Sequence, residues 1–139
     1  MAECIFCRIA GKEASAQTIL ETDKAISFLD IQPRSPGHSL VIPKKHASRL
    51  VELDDETIAA VFKATRDVVK AMQKALQPDA FNIGINDGEQ AGQVVAHLHV
   101  NIIPRFKGDG GKAIHSVVYN PPQEEISVTA ERIRAAMQG

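Results

Sequence analysis

Residues 92–105 read Gly-Gln-Val-Val-Ala-His-Leu-His-Val-Asn-Ile-Ile-Pro-Arg, and this stretch decides the fold that we expect. Side chains alternate between the two faces of a β-strand. One face of this strand would be apolar, with Ala96, Leu98, Val100 and Ile102. The other would carry polar groups in a row, His97, His99 and Asn101, between Val95 and Ile103. Buried polar groups cost free energy unless they are satisfied. The alternation therefore predicts a core strand whose second face has a chemical task.

Length and composition predict one domain with a substantial core. The chain has 139 residues, of which 44% are apolar. We expect a single domain over residues 1–139, with a core in 1–105 and a tail with a helix in 106–139. The net charge of −1 excludes a bulk attraction to nucleic acid or to anionic membranes, so neither is an expected partner. Without a long apolar run or a leader peptide, we expect a cytoplasmic protein.

The remaining elements follow from periodicity and turn residues. A long amphipathic helix is expected from the capping acids at Asp54 and Asp55 to about Gln77. The expected strands are Thr18–Thr22, Ala25–Asp30, His38–Pro43 and Phe81–Asn86, and the other helices are a short turn closed by Gly11 and a last helix over Glu124–Met137. Adjacent antiparallel strands with a helix packed on one face indicate an α+β sheet domain.

Five side chains leave their role open when they are considered alone. Cys4 and Cys7 have the Cys-x-x-Cys spacing of zinc ligands, but one such pair supplies half of a tetrahedral site. A redox role needs a thioredoxin-like context, which does not follow Cys7. His38 and His46 are, taken singly, more often structural than ligating. Asp30 precedes a loop rich in proline and glycine, so it either forms a turn or binds ligand hydroxyls.

Three spaced blocks give these residues a common context. They are Asp30-Ile31 with Pro36-Gly37-His38 and Val41-Ile42-Pro43, then Asn86-x-Gly88 with Ala91-Gly92-Gln93, and then His97-Leu98-His99-Val100-Asn101-Ile102-Ile103-Pro104-Arg105. In this order they closely resemble the histidine-triad (HIT) family over residues 4–105. The resemblance implies a nucleotide-binding α+β homodimer with a HIT-like antiparallel sheet. Such enzymes hydrolyse or transfer nucleoside monophosphates, typically AMP, from phosphoramidates, dinucleoside polyphosphates or similar adducts.

The resemblance also implies roles for individual residues. His99 matches the nucleophile that attacks the α-phosphorus, and covalent capture of this kind divides one hard displacement into two easier steps. His97 and His38 match supporting histidines of the catalytic site. Asp30 matches the carboxylate that accepts from ribose hydroxyls. Two further positions match the nucleotide and phosphate site, Asn86 and Gln93. An apolar wall around the base, which could equally be plain core, is matched by Ile5, Phe6, Ile9, Phe28 and Ile31.

Members of the family with an N-terminal Cys-x-x-Cys imply a structural zinc. On this resemblance Cys4, Cys7, His46 and His97 would complete a Cys₂His₂ tetrahedron. The metal would hold the N-terminal turn against the sheet. The chemical step itself requires no metal in the family.

Asn101 stands where the family carries the third histidine. Asparagine donates hydrogen bonds but does not carry a proton near pH 7. Three interpretations follow: impaired turnover with retained nucleotide binding, a transferase similar to branches with an amide at this place, or a substrate whose leaving group needs no proton. Two rival functions remain, a non-catalytic nucleotide sensor or scaffold and a metallohydrolase that uses the His-x-His pair with zinc.

Overall fold

A five-stranded antiparallel sheet forms the centre of the molecule. The structure is a computed structural model that describes residues 4–139, so the first three residues of the predicted domain lie outside the described part. The strands run in the spatial order β1-β2-β3-β5-β4. Their bounds are β1 Thr18–Glu21, β2 Ala25–Leu29, β3 Ser39–Pro43, β4 Ala80–Ile85 and β5 Val100–Arg105. The predicted α+β class is confirmed, and the predicted strand at His38–Pro43 is the central one.

The strand expected from Val95 onward begins only at Val100. Val41 pairs with Val100, so continuing this register toward the start of β5 would join Ile42 to His99 and then Pro43 to Leu98. Proline has no N–H to donate, and pairing with this neighbour therefore stops. Leu98 instead donates its N–H to the carbonyl of Ala47, at 2.7 Å. His97 and His99 consequently lie in an irregular segment before β5, which corrects the prediction of one continuous strand.

The long helix covers one face of the sheet. α2 spans Asp55–Ala75, and its N-cap Asp54 accepts a hydrogen bond from the Thr57 N–H at 2.8 Å. These bounds agree with the prediction, since a capping acid and a regular apolar spacing are both local signals. The apolar core on this face consists of Ala25, Val41, Val61, Ala64, Val68, Met72, Val100 and Ile102.

A short helix covers part of the opposite face. α1 spans Ile5–Ala10, begins where the Cys4 sulfur accepts from the Cys7 N–H, and ends at Gly11 as predicted. Phe6 and Ile9 of this helix pack against four buried side chains of the central strands, Ile26, Phe28, Leu40 and Ile42. The sheet is therefore packed on both faces, whereas the sequence predicted a helix on one face only.

The tail after β5 packs loosely. A 3₁₀ turn covers Ile114–Val117, and α3 spans Ile126–Gln138 rather than the predicted Glu124–Met137. No residue of α3 is buried. None of the helices within residues 4–139 is long and apolar enough to cross a membrane.

Two buried hydroxyls have no hydrogen-bond partner among residues 4–139, those of Ser27 and Ser39. Both serines are fully buried. Ser27 is two residues from Ala25 and Ser39 is two residues from Val41, so both lie on the sheet face that α2 covers. An unsatisfied buried hydroxyl costs free energy, so Ser27→Ala and Ser39→Ala should each raise the free energy of unfolding by about 1 kcal/mol. Urea denaturation measures this change. Thr65→Val is the control, because the Thr65 hydroxyl does have a partner, the Val61 carbonyl at 2.8 Å, and it should not stabilise. A loss of stability in both alanine variants would contradict the prediction.

Arg105 fastens the start of the tail to the sheet. Its guanidinium donates to both carboxylate oxygens of Asp109 at 2.8 Å, and to Asn82 at 2.5 Å and the Lys112 carbonyl at 2.9 Å. The carboxylate of Asp109 also accepts from the backbone N–H groups of Phe106 and Gly111. The hydrogen bonds from Arg105 hold the pKa of Asp109 well below its ordinary value of 3.8.

This clamp has a defined dependence on pH. Because the pKa of Asp109 is lowered in the folded protein, its contribution to the free energy of unfolding is complete above pH 3.8. That contribution is lost as the pH falls through the lowered pKa. Asp109→Asn should raise the amide hydrogen-exchange rate at Gly111 by roughly tenfold at neutral pH, because a charge-assisted pair is lost. In the unsubstituted protein, slow exchange at Gly111 should persist at pH 3.8. Equal exchange rates in the two proteins would show that the clamp does not order the tail.

Candidate functional site

The four predicted metal ligands lie together. The ligand atoms of Cys4, Cys7, His46 and His97 are all within 4.8 Å of one another. Nδ1 of His97 is 3.3 Å from the Cys4 sulfur and 3.5 Å from the Cys7 sulfur, and Nδ1 of His46 is 3.2 Å from the Cys7 sulfur. Ligand atoms of a tetrahedral zinc site are roughly 3.3–3.8 Å apart, given its bond lengths. The donor set and its spacing therefore fit a tetrahedral metal ion.

The hydrogen bonds of His97 orient it toward this cluster. Its Nε2 is 2.8 Å from the carbonyl oxygen of Pro43, which only accepts, so Nε2 carries the proton. Nδ1 therefore presents a lone pair to the two cysteines. Burial lowers the pKa of His97 below its ordinary 6.5, although the bond to Pro43 opposes this, so the ring is neutral at pH 7. Burial, with the neighbouring Cys4, raises the pKa of the Cys7 thiol. Histidines that bind metal ions commonly donate their other ring N–H to a backbone carbonyl, as His97 does to Pro43.

His99 has the opposite assignment of its two nitrogens. Its Nδ1 is 2.8 Å from the carbonyl oxygen of His97, so Nδ1 carries the proton and Nε2 carries the lone pair. The ring centroid lies 5.2 Å from that of Phe6, edge to face. A backbone carbonyl and an aromatic ring thus set the orientation of this half-buried imidazole, and its Nε2 has no hydrogen-bond partner within residues 4–139.

A third histidine, His38, lies between Asp30 and Asn101. His38 is buried, and its Nε2 is 3.0 Å from Oδ1 of Asn101 and 3.6 Å from a carboxylate oxygen of Asp30. The carboxylate of Asp30 also accepts from the Gln32 N–H at 2.9 Å, which is the turn-forming bond expected of an aspartate before a loop. The turn uses one carboxylate oxygen only; the other lies 3.6 Å from Nε2 of His38 and has no hydrogen bond within residues 4–139, so the binding of ligand hydroxyls by Asp30 stays a prediction.

The loop after β4 is held closed by Gln93. Its Oε1 accepts from the Gly88 N–H and its Nε2 donates to the Ser48 carbonyl, both at 2.8 Å. A direct phosphate contact from Gln93 would require one of these bonds to be exchanged, and this contact stays a prediction. Asn86 is exposed and lines an open cavity of about 1460 Å³ together with His38 and Asn101.

The five apolar residues predicted as a wall for the base divide into two groups. Phe6, Ile9 and Phe28 belong to the buried core on the α1 face. Ile5 is 41% exposed and Ile31 is 92% exposed. Of the five residues, Ile5 and Ile31 therefore offer most of the exposed apolar surface that a base could cover. Phe6 is buried, but its ring contacts that of His99.

The sequence interpretation missed two arginines. Arg34 and Arg49 both line the cavity that contains Asn101. The guanidinium of Arg49 lies over Gly88, where an added Cβ would be 3.1 Å from Cζ, and it pairs with Asp87 at 3.3 Å. Both arginines occur in loops without a motif of their own, so only their position in space identifies them.

Comparisons with known proteins agree with the fold described above. A family model described as the HIT domain matches residues 11–108. Adenosine 5′-monophosphoramidase hnt1 of Schizosaccharomyces pombe is 37% identical over 135 residues, which are 97% of this chain and 98% of that protein. The crystal structure of a HIT family protein from Bacillus anthracis is similar with a TM-score of 0.85 and 31% identity, covering 98% of this chain and 95% of that one. The crystal structure of a zinc-bound histidine triad family protein from Mycobacterium smegmatis is similar with a TM-score of 0.74 and 30% identity. The match covers 97% of this chain and 98% of that one.

Proposed function

This chain belongs to the histidine-triad (HIT) family, and we propose that it cleaves a nucleoside monophosphate, typically AMP, from a phosphorus adduct through a nucleotidyl intermediate on His99. The observation that carries the proposal is the hydrogen bond from Nδ1 of His99 to the His97 carbonyl, which leaves the Nε2 lone pair free. The monophosphoramidase of S. pombe supports AMP as the transferred group.

The chain's own residues would divide the reaction between them. Nε2 of His99 attacks the α-phosphorus, and the carbonyl of His97 stabilises the imidazolium that forms, because it already accepts from Nδ1. The Asp30 carboxylate would accept from the ribose hydroxyls, and Asn86 would donate to the nucleotide from the cavity wall. Gln93 would keep the loop at Gly88 in place, so that backbone N–H groups near the phosphate remain fixed.

We propose that Cys4, Cys7, His46 and His97 hold one structural zinc ion. The zinc-bound relative from M. smegmatis and the spacing of the four ligand atoms support this. Zinc would join α1 to the segment before β5 and stabilise the fold. Four protein ligands fill a tetrahedral shell, and a catalytic zinc needs an open position, so the arrangement argues against the metallohydrolase alternative.

The proposal extends to the assembly that the family resemblance implies. Residues 1–139 would act as one domain in a cytoplasmic homodimer with a nucleotide as its ligand. Light scattering at micromolar concentration would give twice the chain mass of 15.1 kDa if the dimer forms, and a value near the chain mass would exclude it.

Trapping of the intermediate tests the catalytic proposal. The protein is mixed with adenosine 5′-phosphosulfate labelled at the α-phosphorus, quenched in alkali and mapped by mass spectrometry. We expect AMP as product and an alkali-stable, acid-labile label on the peptide that contains His99. Binding of AMP without any labelled peptide and without turnover would favour the alternative, a nucleotide sensor or scaffold, which is motivated by the absence of a proton carrier at Asn101.

A further inference from the structure

The backbone of Arg34 determines which nitrogen of His38 carries a proton. The Arg34 N–H donates to Nδ1 of His38 at 3.1 Å, and a backbone N–H can only donate. Nδ1 therefore holds a lone pair. His38 is only 4% exposed, and a second proton on Nδ1 would face the Arg34 N–H directly. The neutral ring thus carries its proton on Nε2, which lies 3.0 Å from Oδ1 of Asn101.

This hydrogen bond orients the amide of Asn101. Its oxygen accepts from Nε2 of His38, so the NH₂ group is on the other side of the amide. That NH₂ group makes no hydrogen bond with any group in residues 4–139, while Asn101 is half-buried and lines the cavity. Position 101 therefore presents the two N–H donors of its amide to a ligand, while its oxygen is held by His38.

The surroundings of Asn101 favour an anionic ligand. Arg34 lines the same cavity, is exposed, and forms no ion pair within residues 4–139. Arg49 lines it as well and remains half exposed although it pairs with Asp87. Of the other acids in the lining, Asp109 is paired with Arg105, and Glu89 is exposed.

The chemistry of the leaving group then decides which substrates the site can use. An amine must gain a proton before the P–N bond breaks, and asparagine cannot deliver one near pH 7. Sulfate or phosphate leaves as a stable anion that N–H donors stabilise directly. Resting on the proposed role of His99, we infer that Asn101 is a specificity-determining residue that selects nucleotide adducts with an anionic sulfate or phosphate leaving group over phosphoramidates.

The reaction has two steps, transfer of the nucleotidyl group to His99 and its hydrolysis, and neither step needs a general acid. In the first, the bond from Nε2 of His99 to the α-phosphorus forms, and the P–O bond to sulfate or phosphate breaks with its electron pair on the departing oxygen. In the second, a water oxygen bonds to phosphorus, the P–N bond breaks, and its electron pair returns to Nε2. One water proton passes to solvent, and AMP is released.

The test measures kcat/KM for adenosine 5′-phosphosulfate and for adenosine 5′-phosphoramidate in the full chain and in variants. Asn101→His restores a proton carrier and should raise kcat/KM for the phosphoramidate by about 100-fold, the usual size of general acid catalysis, and should thereby raise it relative to kcat/KM for the phosphosulfate. Asn101→Asp keeps an acceptor for His38 but removes the donors, and should lower kcat/KM for the phosphosulfate by about tenfold or more. Asn120→His makes the same exchange at an exposed tail residue and should change neither value.

The label on His99 separates the two ways in which the inference can fail. If His99 becomes labelled while Asn101→His speeds both substrates equally, the specificity role is wrong and the proposed function stands. The same conclusion follows if the unsubstituted protein prefers the phosphoramidate. If neither substrate labels His99, both the proposed function and the inference that rests on it are overturned. The substrate preference of the unsubstituted protein decides the point even where a variant fails to fold.

Discussion

Replacing His99 with alanine is expected to lower kcat/KM for adenosine 5′-phosphosulfate by about 10⁴-fold or more, the scale on which loss of a nucleophile acts in covalent catalysis. The reason is geometric. Nε2 of His99 carries the free lone pair, whereas the free nitrogen of His97 faces the cysteines and Nε2 of His38 faces Asn101. Among His38, His97 and His99, this ring alone has a nitrogen lone pair without a hydrogen-bond partner within residues 4–139. Steady-state release of AMP measures the loss.

His115→Ala is the matched control for this experiment. His115 is an exposed histidine in the tail, and its loss should leave kcat/KM and the labelled intermediate unchanged. Thermal unfolding of both variants should resemble that of the unsubstituted protein, since His99 is only half-buried. Retention of more than about a tenth of the activity in a folded His99→Ala protein would contradict a covalent role for this residue.

Replacing Cys7 with serine is expected to abolish stoichiometric zinc binding and to lower the free energy of unfolding by several kcal/mol. The sulfur of Cys7 contacts the Nδ1 atoms of both His46 and His97, so its replacement removes the proposed ligand atom that touches both histidines. Elemental analysis of the purified protein gives the zinc content. Denaturant unfolding gives the stability, with one zinc per chain expected in the unsubstituted protein.

Chelation provides the second arm of this experiment. A strong chelator should lower the Tm of the unsubstituted protein to that of Cys7→Ser and should not lower the Tm of the variant further. At a temperature where both remain folded, the chelator should leave labelling of His99 intact, because the metal is assigned a structural part only. A chelator that abolished labelling in folded protein would contradict that assignment, and a metal-free protein of unchanged Tm would contradict the zinc site.

Local patterns in the sequence predicted the regular elements well. The capping Asp54, the acids after it and the apolar spacing placed α2 within a residue or two, because such signals act within one turn of helix. The segment before β5 could not be predicted in this way. Its alternating pattern suits a strand, but Pro43 on the neighbouring strand cannot donate the hydrogen bond that would continue the ladder.

The four candidate metal ligands were predicted by resemblance, but the distances between them could be obtained only from the fold. Cys4 and His97 are 93 positions apart in the chain and their ligand atoms are 3.3 Å apart. Spacing within Cys-x-x-Cys indicates half of such a site, and the other half comes from loops that the sheet brings together. Arg34 and Arg49 likewise could not be identified from the sequence, because neither lies in a motif. Only the fold shows that both line the cavity.

The sequence by itself determined the types of residue at the site and the family to which they belong, including the asparagine where a third histidine is expected. Only the tertiary structure decided what each of them can do. Each imidazole has two nitrogens, and the partner of one sets the chemistry of the other: Pro43 for His97, the His97 carbonyl for His99, and the Arg34 N–H for His38. These partners are backbone groups, which every residue possesses, so the residue types carry no record of them. Their positions arise only when the strands and loops pack, and they distinguish a proposed metal ligand, a proposed nucleophile and a hydrogen-bond donor among three histidines of equal intrinsic chemistry.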